Sequence, residues 1–227
     1  MLLLSTAYYA PIQYYSKLVR YEDVFIERHE NYNKQSYRNR CTIYTANGLL
    51  DLVVPVVKTD RLKLPVTEVE ISYDMLWQKL HFKAIESAYR RSPFYEYYID
   101  DLMIFFNESH RYLYEFNMQI LSTVCSLIKI PFRVQESKEY QKPAQDLVDL
   151  RNSIHPKTNR LKTGDDFVTP HYTQVFADKW GFKSNLSILD LLFNTGPEAK
   201  NLLGLDEKDH ENPSSDMTGV KKENVVL

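Results

Sequence analysis

The stretch Met1-Leu-Leu-Leu-Ser-Thr-Ala-Tyr-Tyr-Ala-Pro-Ile-Gln-Tyr-Tyr-Ser-Lys-Leu-Val-Arg-Tyr-Glu-Asp-Val-Phe-Ile26 decides the fold class. Leu2 to Leu4 is an unbroken apolar run of strand length, as a strand covered on both faces requires. After the Tyr-rich turn at Tyr8, Tyr9 and Pro11, the apolar positions Ile12, Tyr15, Leu18 and Val19 fall at helical spacing. A second apolar run, Val24 to Ile26, follows at once. Strand, helix and strand in about 27 residues predict one βαβ unit with a right-handed crossover.

Working outward, the polar segment His29 to Arg40 follows the end of that second strand, where α/β sheets commonly bind ligands. Cys41 to Tyr44 and Leu49 to Val57 bracket Asn47-Gly48, a turn pair that predicts a hairpin. The loop Lys58 to Pro65 carries three cations and one anion. A helix is expected over Asp74 to Tyr89, with Asp74 as its cap and Trp77, Leu80, His81, Ala84, Ile85, Ala88 and Tyr89 on one face. Further helices are expected from Ser92-Pro93 and over Arg111 to Lys129, the latter stopping before Pro131.

Gln135 to Asp166 is polar and weakly patterned, broken by Pro143, Pro156 and Gly164, and reads as a long surface loop. Order returns at Tyr172 to Trp180. Ser187-Ile-Leu-Asp190 then has the spacing of a capping box, with Asp190 as the capping carboxylate. The expected architecture is α/β: a small central sheet begun by the N-terminal βαβ unit and the hairpin, covered by helices from the middle and C-terminal thirds. A single domain over residues 1–203 is expected, with 204–227 an acidic, disordered tail of six acids against three bases.

Composition excludes several classes. The net charge of −2, from 28 Lys plus Arg against 30 Asp plus Glu, is too balanced for nucleic acid to be the expected partner. The six glycines never come close enough for G-x-G-x-x-G or G-x-x-x-x-G-K, which removes both Gly-rich phosphate loops. Cys41 and Cys125 stand in no C-x-x-C pair and are expected reduced, buried and inert. The apolar start lacks a basic n-region, and no apolar run reaches the 18 residues of a membrane span, so cytoplasmic residence is expected. No nucleophile elbow, H-x-x-x-H or H-E-x-x-H spacing occurs, so neither acyl-enzyme hydrolysis nor a metal site is expected, and no cofactor is assigned.

The strongest constellation is Arg38-Asn39-Arg40. In an extended segment the two guanidiniums project to one face and Asn39 to the other. Either an anion such as phosphate, diphosphate or carboxylate sits between them, or each is a solvated arginine paired to Glu27 or Glu30. His81, on an apolar helix stripe, is either a general base or a buried neutral histidine bonded to backbone or carboxylate. His29 lies just past a strand end beside Glu30, while His155 and His171 flank the long loop. The 17 tyrosines, paired at Tyr8-Tyr9, Tyr14-Tyr15 and Tyr97-Tyr98, suit either core filling or stacking on a sugar or base.

Several segments, in order, resemble the WbqC-like protein family: Tyr8-Tyr-Ala-Pro-Ile-Gln-Tyr-Tyr15, Tyr37-Arg-Asn-Arg40, Asn47-Gly48, Leu52-Val-Val-Pro-Val56, Trp77-Gln-Lys-Leu-His81, Ser92-Pro-Phe94 and Asn185 through Glu198. The resemblance covers about residues 1–203. It departs at Ser5-Thr6-Ala7, where the family usually has Gln-Pro-Asn, and at Ala10-Pro11, where it usually has Pro-Trp. It implies bacterial O-antigen or surface-polysaccharide biosynthesis. The reaction is expected to be acyl, aminoacyl or sugar transfer on an activated amino sugar, with a phosphate-bearing nucleotide sugar as partner. The alternative is a non-catalytic binding or scaffold protein for a glycan intermediate or partner enzyme. In the first reading Tyr8, Tyr37, Arg38, Asn39, Arg40, Trp77 and Asn185 bind substrate, and His29 or His81 moves a proton.

Overall fold

The computed structural model describes residues 1–142, 144, 146–157 and 167–204. The expected tail therefore lies, apart from Gly204, outside the described residues. In chain order the elements are β1 (Leu2–Leu4), α1 (Ile12–Arg20), β2 (Val24–Ile26), β3 (Arg40–Thr45), β4 (Gly48–Val53), α2 (Trp77–Tyr89), α3 (Tyr95–Asn107), α4 (Leu113–Leu127), β5 (Val134–Glu136), β6 (Val148–Asp149), α5 (Ala177–Trp180), α6 (Ile188–Thr195) and α7 (Ala199–Leu202). The fold is mixed α/β, with four parallel strands in the order β5-β2-β1-β6 and a separate β3–β4 hairpin.

Leu2, Leu3 and Leu4 are wholly buried. A parallel strand with neighbours on both edges and cover on both faces needs such a run. α1 follows from Pro11, whose fixed φ starts the helix, and it buries Ile12, Tyr14, Tyr15 and Leu18. The next apolar layer is aromatic. Tyr8 and Tyr9 are both fully buried, Tyr8 stacking on Phe116 of α4 and Tyr9 on Phe106 of α3. Adjacent residues of an extended chain normally point to opposite sides. The positive φ of Tyr9, 38°, breaks that alternation.

Three expectations need correction, the third at α6. The stretch read as a loop from Gln135 to Asp166 contributes β5 and β6, which the pattern could not reveal because they are three and two residues long. They exist through the main chain: Ser137 N–H donates to Ile26 C=O, and Leu150 N–H donates to Leu3 C=O. Asp74 does not cap α2, which begins at Trp77 without a side-chain cap, since Ser72 Oγ donates to the Asp74 carboxylate instead.

At α6, Ser187 Oγ accepts from Leu189 N–H as an N-cap should. Asp190, however, does not complete a capping box. It is buried, and its Oδ2 accepts from the Tyr172 hydroxyl at 2.7 Å and from Gln174 Nε2 at 3.1 Å, tying the 172–174 segment to the helix. Burial pushes its carboxyl up to about 6, against the opposing hydrogen bonds from the tyrosines and Gln174.

α6 ends at Gly196, where φ is +54° and a Cβ would lie 2.4 Å from the Phe94 ring. Gly196→Ala is expected to cost about 2 kcal/mol or more, from overpacking added to backbone strain. Gly181→Ala, where φ is +72° but nothing lies within 4 Å, should lose only the strain component. Urea unfolding midpoints of the two variants check the order.

Candidate functional site

Five segments meet where the parallel strands end. β1 delivers Ser5, β2 delivers Glu27 and Glu30, β5 delivers Ser137, β6 delivers Asp149 and Arg151, and the turn before β3 delivers Arg38. Arg38 is buried and forms a fork with Glu30, Nε to Oε1 at 2.8 Å and Nη2 to Oε2 at 2.6 Å, while Nη2 also donates to Ser5 Oγ at 2.6 Å. Arg151 forms the same fork on Asp149, at 2.9 and 2.6 Å, and Nη1 reaches Glu27 Oε2 at 3.3 Å. Glu27 has no exposed surface. It accepts besides from His29 N–H at 2.8 Å, Ser137 Oγ at 2.6 Å and Gln141 N–H at 2.7 Å. Three acids thus face two guanidiniums, and the planar forks supply the geometry that makes burying such charges tolerable.

Tyr37 borders a hollow on either side. The smaller, about 10 Å³, has room for roughly one water and is lined by Ser5, Thr6, Arg38, Leu150 and Arg151 among others. Thr6 Oγ1 is buried there without a partner among the described residues. The larger, about 450 Å³, lies between the hairpin and the 184–186 segment and is lined by Thr42, Leu49, Leu50, Asp51, Pro156 and Asn185 as well as Tyr37. That volume suits a small organic ligand.

The sequence candidates distribute unevenly. Tyr37 and Asn185 reach the larger hollow, and Arg38 the smaller. The Arg38 guanidinium takes the paired reading, with Glu30 as its partner. Arg40 Nη1 lies 3.9 Å from Asp51 Oδ2, and its Nε is buried without a partner among the described residues. Asn39 is pinned to Val54, its Nδ2 donating to the Val54 carbonyl and its own carbonyl accepting from Val54 N–H. The Asn185 amide is engaged with Gln13, accepting from its N–H and donating to its Oε1.

Tyr8, His81 and Trp77 form a buried aromatic group. The Tyr8 hydroxyl shares a 3.0 Å hydrogen bond with His81 Nδ1, and Trp77 meets His81 edge to face. Burial pulls the His81 imidazole down to about 4, against the opposing pull of the Val53 carbonyl. His29 is exposed, with Nε2 3.1 Å from the Ser137 carbonyl. Neither histidine is among the described residues that line these two hollows. Cys41 and Cys125 are buried free thiols.

Sequence reasoning gave no site role to Ser5, Glu27, Glu30, Asp149, Arg151 or His155. A charged residue directly after the apolar run Val24-Phe-Ile26 was the one signal for Glu27. His155 is pulled down by burial and then by Arg38, Lys157 and Arg40, so all three cations share its surroundings. Its Nδ1 accepts from Lys157 N–H at 3.1 Å, which places the ring proton of the neutral form on Nε2.

Two outcomes follow from this geometry. Glu30→Gln leaves Arg38 buried with one charge unmatched and should cost about 3–5 kcal/mol in urea unfolding, whereas adding Arg38→Met should recover much of it. For His81, the unfolded imidazole takes up a proton near pH 6.5 and the folded one only near 4. Its contribution is therefore complete above pH 6.5 and lost as pH falls toward 4, about 2 kcal/mol between pH 7 and 5. His81→Gln should remove that increment from the stability difference between the two pH values.

Comparison with known proteins places the chain. It is 28% identical over 222 residues to the uncharacterised protein Rv1507c of Mycobacterium tuberculosis, an alignment covering 86% of this chain and 94% of that relative. No solved structure matches the chain. The model of the WbqC-like protein family matches residues 7–164, which include Tyr8, His29, the Tyr37–Arg40 segment, Trp77, His81 and the paired acids and arginines at the strand ends. The chain belongs to the WbqC-like protein family.

Proposed function

We propose that the protein binds a phosphate-bearing amino-sugar nucleotide in the larger hollow and acts as a cytoplasmic transferase in bacterial surface-polysaccharide biosynthesis. The observation that carries this reading is a ligand-sized hollow walled by Tyr37, Asp51 and Asn185, with a guanidinium beside it whose Nε has no partner among the described residues. A ring such as Tyr37 stacks on a sugar or base, and a buried unpaired guanidinium nitrogen favours an anionic oxygen.

In this reading Arg40 takes the phosphate, joined by Lys157 and by Nε2 of His155. Arg38 holds the Tyr37 turn against Glu30, and Asn39 fixes the start of the hairpin. Tyr8, Trp77 and His81 support that turn from beneath, since Tyr8 N–H donates to the Tyr37 carbonyl. His29, exposed but outside the lining of the hollow, is the imidazole assigned to move a proton. The balanced charge of the chain argues against nucleic acid as partner.

The second reading, a non-catalytic binding protein for a glycan intermediate or partner enzyme, is favoured by one observation: the buried carboxylates and His81 are all committed to partners. Calorimetry with uridine-diphosphate amino sugars tests the binding that both readings share. Arg40→Ala should weaken binding about tenfold or more, the worth of one charge-assisted hydrogen bond, and Tyr37→Ala should weaken it as well. Unchanged affinity in both variants removes the hollow as the site. Turnover by the purified protein, abolished in His29→Ala, decides for the transferase.

A further inference from the structure

The exposed side of α2 carries a feature that the hollow does not use. Leu76, Lys79, Leu80 and Lys83 recur at helical spacing on one exposed stripe that Ser87 and Arg90 continue, so the stripe carries three cations, with the half-buried Glu86 at its edge. Leu76 is 74% exposed, Leu80 56% and the preceding Met75 63%. A second apolar tip lies on the Lys58–Pro65 loop, where Leu62 is entirely exposed between Arg61 and Lys63.

The two tips are joined by a short ladder. Val57 N–H donates to Glu70 C=O and Ser72 N–H to Pro55 C=O, so the chain entering the loop and the chain entering α2 run side by side. Along that ladder Val53, Val57 and Tyr73 are exposed as well. The acids nearby are partly neutralised: Glu68 pairs with Arg61 and Glu70 with Arg111, leaving Asp60, Asp74 and Glu86 against Lys58, Lys63, Lys79, Lys83 and Arg90.

We propose that this face docks the protein onto an anionic lipid bilayer, with Leu62, Met75, Leu76 and Leu80 entering the headgroup boundary and the lysines meeting lipid phosphates. Dispersed apolar tips with a cationic rim, on a loop and one helix face, fit a fluid anionic surface, which needs no matching relief. A protein partner of similar size would call for a groove or a flat apolar patch. The interaction is peripheral, because among the described residues no helix is long and apolar enough to cross a membrane. β4 links this face to the larger hollow, running from Leu49–Asp51 in the hollow wall to Val53 beside the ladder.

Sedimentation of the full chain with vesicles tests the proposal, using phosphatidylcholine alone and phosphatidylcholine mixed with phosphatidylglycerol. Binding is expected to the mixed vesicles only and to weaken with added salt. Leu76→Glu with Leu80→Glu should reduce partitioning about tenfold or more, Leu62→Glu likewise, and Lys79→Glu with Lys83→Glu at least about fivefold per lysine. All these positions are exposed, and circular dichroism confirms that the variants remain folded. Absence of binding to the mixed vesicles, equal binding to both kinds, or unchanged binding by the variants overturns the proposal. So does a dimer in light scattering that the same variants dissociate, which would assign the face to a second copy of the chain. None of these outcomes touches the calorimetric test of the hollow.

Discussion

The structure depends on gathering five charges, four of them buried and Asp149 half-buried, where four short strands stop. Glu27, Glu30 and Asp149 come from strand ends, Arg38 comes from the turn before β3 and Arg151 directly follows β6; the Arg151–Glu27 contact closes a separation of 124 residues. Strands of two and three residues hold few ladder hydrogen bonds, so the sheet cannot rely on its backbone alone. The forked arginines act as long-range staples. β6 in particular has two residues, and it is kept in place by Arg151, which grips Asp149 of the strand itself and Glu27 beyond β2.

This arrangement governs what the site can do. A guanidinium already held by a carboxylate in a planar fork resists displacement, since freeing it leaves a buried acid unpaired. In the proposed reading, anion recognition therefore falls to the neighbours outside that network, Arg40, Lys157 and His155. The network in turn fixes the turn that presents Tyr37. The division of labour runs along the Tyr37-Arg-Asn-Arg40 segment, where Arg38 and Asn39 are committed to support and Tyr37 lines the hollow.

Legibility in the sequence followed the length and polarity of each element. β1, α1 and β2 were readable because their apolar runs and spacing are unambiguous, and the hairpin because Asn47-Gly48 marks its turn, Gly48 having a φ of +100°. β5 and β6 were not, because Val-Gln-Glu and Val-Asp carry no pattern and are strands only through what they pair with. Within the site, the pairing of Arg38 with Glu30 was one of two readings open from the residues. The partners of Arg151 were out of reach, as local spacing says nothing of contacts closed by the fold. Asp190 misled for a related reason. Its spacing from Ser187 matched a local motif, while the buried Tyr172 and Gln174 offered its carboxylate better bonds.

Tyr37 is a partition between two compartments of unequal stiffness. On one side the cramped chamber is bounded by the paired Arg38 and Arg151 and by Leu4, Leu150 and Ile154, which leaves the ring little room to retreat. A guest entering the roomier side meets a fixed wall there and a softer one opposite, where Leu49 and Leu50 of the hairpin face outward. In the proposed reading, discrimination among guests is by contour at the aromatic wall, and tolerance of different sizes resides in the hairpin.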